Sequence, residues 1–145
     1  MTKLKENRGF SVAELLILVA ILGTLIAKNT PVFAAQLRKT RLATNQANTR
    51  SAYAAVIAQI NLDGVHKDTT YVYDVDSSSL TEELTYQISN CALSTSKYPI
   101  EEWNVDLEPA GIKLGDKVAK QWRVYIVNSS IGSDTIVGYT PIWDK

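Results

Sequence analysis

One carboxylate in this chain sits where a carboxylate is costly. Glu14 is the fifth residue of the run Phe10–Ala27, in which fourteen of eighteen residues are apolar or alanine. As a helix this run would be about 27 Å long, close to the ~30 Å hydrocarbon thickness of a bilayer. A charge near the start of a spanning helix costs about 2.5–3.5 kcal/mol on insertion scales, so an ionisable residue there calls for a partner of opposite sign. The best candidate partner is an α-amine. Cleavage between Gly9 and Phe10 would create one at the depth of Glu14, a turn away in the same helix or adjacent on a staggered neighbour. Lys3, Lys5 and Arg8 precede the run and favour a cytoplasmic leader.

Other chemistry is hard to find. The single histidine, His66, stands beside Lys67 in a polar stretch and reads as an exposed loop side chain. There is no glycine-rich phosphate loop, metal-ligand cluster or nucleophile motif, so neither enzymatic activity nor a cofactor is expected. Asp134 and Asp144 are the only acids after Asp116, and Asp74-Val75-Asp76 adds two more. Both sets fall short of the six or more oxygens that calcium takes, so no metal is expected. Cys91 is the lone cysteine, which excludes an intramolecular disulfide and reads as buried packing. Asn128-Ser129-Ser130 matches the glycosylation acceptor pattern.

Three uses of the N-terminal segment compete. It could be a plain anchor that keeps Met1–Gly9. It could be a secretory signal cut near Ala34, within the small-residue site Val32–Ala35, which would release a secreted binding domain. Glu14, the long apolar run and Lys28 weigh against that. Or it could be a segment that uses Glu14.

The stretch "RGFSVAELLI" (residues 8–17) resembles the class III leader of type IV pilins and type II secretion pseudopilins: a basic leader ending in Gly9, then Phe10, then Glu14, then an apolar run. The resemblance covers about the first sixty residues. It implies a prepilin peptidase that cleaves after Gly9 and N-methylates Phe10. It also implies Glu14 pairing with the N-terminus of an adjacent subunit, an inner-membrane assembly platform, and self-association into a helical filament. The subunit would cross the cytoplasmic membrane once, head outside, before joining an extracellular filament. Gly23 and Pro31 sit where many pilins weaken this helix. A minor pseudopilin of a secretion or DNA-uptake machine is the alternative within the family.

The elements that must position these residues follow from pattern. Residues 32–60 lack Gly and Pro and are rich in helix formers. Their middle carries Arg38, Lys39, Arg41 and Arg50 with no acid, suited to acidic heads or anionic lipid headgroups. Without interleaved aromatics, the cluster argues against nucleic acid. Tyr53, Val56, Ile57 and Ile60 share an apolar face, and Gly64 is placed to cap the helix. Charge is split: residues 1–62 carry a net +6 and residues 63–145 a net −6, so one copy's stem could meet another's head.

In the head, residues 69–75 read as a strand with Tyr71, Tyr73 and Val75 on one side. Residues 77–90 read as a short helix, with Ser79 and Glu82 at capping-box spacing and Leu80, Leu84 and Ile88 as its stripe. Trp103, Val105 and Leu107 alternate, and Glu108–Gly111 reads as a turn. Residues 117–127 place Trp122, Val124 and Ile126 on one face and pair as a hairpin with 135–143, where Pro141 marks an edge strand. The expected fold is α+β: a long N-terminal helix, membrane-spanning in its first half, packed on a small antiparallel sheet, as in pilins. The expected divisions are a leader 1–9, a membrane and assembly half 10–28, an amphipathic half 29–62, and a head 63–145.

Overall fold

The computed structural model describes residues 9–63, 68–83, 88–129 and 133–144, the side chains of 128, 129, 133 and 134 excepted. Lys3, Lys5, Arg8, Gly64, His66, Leu84 and Ser130 lie outside them. Among the described residues one α-helix, α1 (Val12–Asp63), is followed by strands β1 (Thr69–Asp74), β2 (Ser79–Glu83), β3 (Leu93–Ser94), β4 (Gln121–Ser129) and β5 (Ser133–Ile142). Short 3-10 turns occupy Ile88–Asn90, Ile100–Glu102 and Pro109–Gly111. The chain divides into two compact units, Met1–Gln36 and Leu37–Lys145.

In the second unit the strands form one antiparallel sheet in the order β2-β1-β4-β5-β3. Pairing fixes which side chains share a face. Tyr71 lies opposite Val124, Val124 opposite Tyr139, and Tyr139 opposite Leu93. All four are buried, so one row of apolar side chains crosses four strands. Ala52, Val56 and Ile60 of α1 join this row in a single core with Trp103, Leu114 and Trp122. The spacing of 52, 56 and 60 is one residue per turn along one stripe, as burying a helix face on a sheet requires. Full burial of each large side chain contributes about 1.5–3 kcal/mol. The α+β architecture expected from the sequence is therefore present, as are β1 and the β4–β5 hairpin.

Three local expectations fail. The described residues of 77–90 do not form the expected helix: Ser79–Glu83 is strand β2, and Ile88–Asn90 makes a 3-10 turn. Strand β1 offers a row of backbone groups that β2 pairs from Asp74↔Ser79 to Thr70↔Glu83. That ladder outweighs a weak helical pattern, because local propensity yields to tertiary pairing. The alternation at Trp103, Val105 and Leu107 forms no strand either. The segment is tied down as turns, with Trp103 stacked on Trp122 at 5.8 Å and donating from Nε1 to Tyr98 O at 2.9 Å. Finally, β5 is not the sheet edge. Two-residue β3 is, pairing only with Gly138 and Tyr139, which leaves Pro141 beyond its reach and free of a second ladder.

Candidate functional site

Ser11 and Glu14 bond each other reciprocally at the start of α1. The Ser11 N–H donates to Glu14 Oε2 at 2.9 Å, and the Glu14 N–H donates to Ser11 Oγ at 3.2 Å. This is a capping box: an N-cap hydroxyl and a carboxylate three residues on satisfy two N–H groups that the helix leaves orphaned. Sequence reasoning singled out Glu14 for its charge but assigned the box to Ser79 and Glu82. The signal for the true one, S-x-x-E opening an apolar run, is present at Ser11–Glu14. In β2, by contrast, Glu82 Oε1 accepts the Thr69 hydroxyl at 2.9 Å.

Around this box the helix is apolar on every side. Every large apolar side chain from Val12 to Phe33 is between 46% and 76% exposed. Its most apolar eighteen-residue window has a mean hydropathy of 1.9, and none of it is buried. By length and composition this helix could span a membrane. Left in water, so many large side chains would forfeit on the order of 20 kcal/mol or more, so the segment needs lipid or protein around it.

Gly9 and Phe10 precede α1 and are exposed. Gly23 and Pro31 both lie within the helix, which continues through them. Pro31 has no N–H to give to the carbonyl four residues before it. Hydroxyls nearby turn inward on the backbone: Thr24 donates to Ile21 O and Thr30 to Ile26 O, each at 2.8 Å. That pairing suits a polar group in an apolar medium.

In the second unit, three of the four stem cations are engaged by acids and carbonyls of their own head. Arg38 donates from Nε to Asp116 Oδ1 at 3.0 Å, and from Nη2 to Asp106 Oδ1 at 2.8 Å and Val105 O at 3.2 Å. The Asp106 carboxylate holds the Arg38 pKa above its usual value, and Asp106 is lowered in return. Arg41 donates to Asp116 O at 2.8 Å, and Arg50 reaches Glu101 at 3.4 Å. Lys39 is exposed and makes no hydrogen bond or ion pair among the described residues. The cations expected to meet a neighbour's head or lipid are thus, apart from Lys39, paired within the chain. Composition cannot reveal this, because the acids lie more than fifty residues away in sequence.

The same seam holds a buried amide. Asn45 Nδ2 donates to Leu114 O and Lys117 O, both at 2.9 Å, while its Oδ1 accepts the Ala119 N–H. Cys91 is half-buried rather than fully buried, and burial pushes its thiol pKa up. Among the described residues no three His, Cys, Asp or Glu side chains gather as metal ligands would.

No family model, curated protein or solved structure matches the chain. The functional reading therefore rests on the leader motif and on the geometry of the first unit.

Proposed function

We propose that this chain is a filament subunit of the type IV pilin and pseudopilin kind. It is made as a membrane protein, cleaved after Gly9, N-methylated on Phe10, and polymerised through its N-terminal helix. The observation that carries the reading is the helix itself: apolar on every side, unburied, and interrupted by one carboxylate at the depth where processing would place an amine. Lipid satisfies the apolar surface before assembly, and neighbouring helices satisfy it afterwards. Lipid does not satisfy Glu14. A neighbour's amine does, and only at one stagger, so the charge converts a non-directional apolar contact into one with register. The alternative cleavage site at Val32–Ala35 falls within α1, where a cut would sever the helix in its middle.

The test is intact-mass and N-terminal peptide mass spectrometry on membrane and sheared-surface fractions. The expected species begins at methylated Phe10 and is found in both. A chain that begins at Met1 in both fractions would mean a static anchor. One that begins near Ala35 would mean a secreted domain, and either result would overturn the proposal. The share of the chain in sheared material separates a major fibre subunit from a minor one.

A further inference from the structure

We infer that Ser11 is a positioning residue for Glu14, an inference that rests on the filament reading above. Two reciprocal hydrogen bonds join Ser11 and Glu14 over the first turn of α1: the carboxylate Oε2 accepts the Ser11 N–H, and the Ser11 hydroxyl accepts the Glu14 N–H. Among the described residues Oε2 is the carboxylate oxygen that is engaged, and a second donor would meet Oε1. The box also survives processing: a cut after Gly9 leaves Ser11 N as an ordinary amide, one residue inside the new amine on Phe10. In hydrocarbon no water can replace these bonds, so the box matters more here than at a wet helix end. Without the Ser11 hydroxyl the Glu14 N–H is unpaired and Glu14 is tied to Ser11 by one bond instead of two. Its side chain then samples several rotamers instead of presenting one oxygen at a fixed depth.

Charge and capping can be separated, because glutamine serves in a capping box as well as glutamate. Glu14→Gln keeps the box and loses the ion pair. Ser11→Ala keeps the charge and loses the hydroxyl half of the box. Ser11→Thr keeps both. Each variant is expressed as the full chain, and three quantities are read: membrane insertion, cleavage after Gly9, and incorporation into sheared filaments. The expected result is normal insertion and cleavage throughout, with incorporation lowered about fivefold by Ser11→Ala, the worth of a lost cap. Ser11→Thr should restore it, and Glu14→Gln should lower it at least as far as Ser11→Ala. Wild-type incorporation of Ser11→Ala beside a defective Glu14→Gln overturns the positioning role and leaves the filament reading intact. A Ser11→Thr variant as poor as Ser11→Ala also overturns it, since the hydroxyl is then not what matters. Wild-type incorporation of Glu14→Gln instead overturns the role of Glu14 on which both rest.

Discussion

The side-chain oxygen of Asn45 accepts the Ala119 N–H at 2.9 Å, and both residues are wholly buried. One amide on the helix thereby fixes the loop that leads into β4, since its nitrogen also serves the Leu114 and Lys117 carbonyls. Asn45→Ala strands a buried N–H and opens a cavity, and should cost about 3 kcal/mol. Asn45→Asp should be no better, because it turns an acceptor toward two carbonyls. Urea unfolding of the full chain in detergent reads this directly. A loss below about 1 kcal/mol, the net worth of one ordinary hydrogen bond, would mean that other contacts hold the loop.

Gly138 has no room for a side chain. A Cβ there would fall on the Cys91 sulfur and 2.6 Å from Leu93 O. Gly138→Ala should destabilise the head by about 1–3 kcal/mol through overpacking. The pair should also be coupled: adding Cys91→Ala should recover part of the loss but not all, because the Leu93 carbonyl belongs to β3 and cannot be trimmed. Strict additivity in the double-mutant cycle would contradict this packing.

Acid should weaken the fold through Asp74. Its carboxylate accepts from Gln121 Nε2, the Ser77 N–H and the Ser77 hydroxyl, each at 2.9 Å. These bonds, Gln121 first, lower its pKa to about 2. The unfolded chain therefore binds this proton first as pH falls. The contribution is complete above the unfolded value of about 4 and vanishes as pH drops through the folded value. Urea midpoints of wild type and Asp74→Asn should differ by a constant amount above that range and converge below it. A gap that stays constant down to the folded pKa would remove Asp74 from the acid response.

Arg38 and Lys39 are sequence neighbours with opposite fates. Arg38→Gln breaks the fork to Asp106 and Asp116, so it should lower the unfolding midpoint. The effect should be modest, since all three side chains are partly exposed, and added salt should shrink it. Lys39→Gln should leave the midpoint unchanged. Equal effects from the two variants would mean that charge density on the stem, rather than the fork, is what the head responds to.

The tetrad S-x-x-E occurs twice in this sequence, at Ser11–Glu14 and at Ser79–Glu82, and its two outcomes divide what each level decides. The sequence alone determined the apolar run, the basic stretch before it, the odd carboxylate, the helix behind them and the aromatic, β-branched strands β1, β4 and β5. Each of those is written in contiguous residues, as periodicity or composition. It also determined the α+β class, because a helix with one apolar stripe followed by alternating strands has few ways to bury both. Tertiary structure decided the rest. At Ser11–Glu14 no described strand pairs with the segment, so the tetrad caps a helix. At Ser79–Glu82 the open edge of β1 offers a ladder of hydrogen bonds, so the same spelling becomes a strand and its glutamate turns to Thr69. The pairing of Arg38 with Asp106 and Asp116, and the seating of Asn45 under the β4 loop, were equally illegible. Their partners lie more than sixty residues away, and only the closed chain brings them within hydrogen-bonding distance.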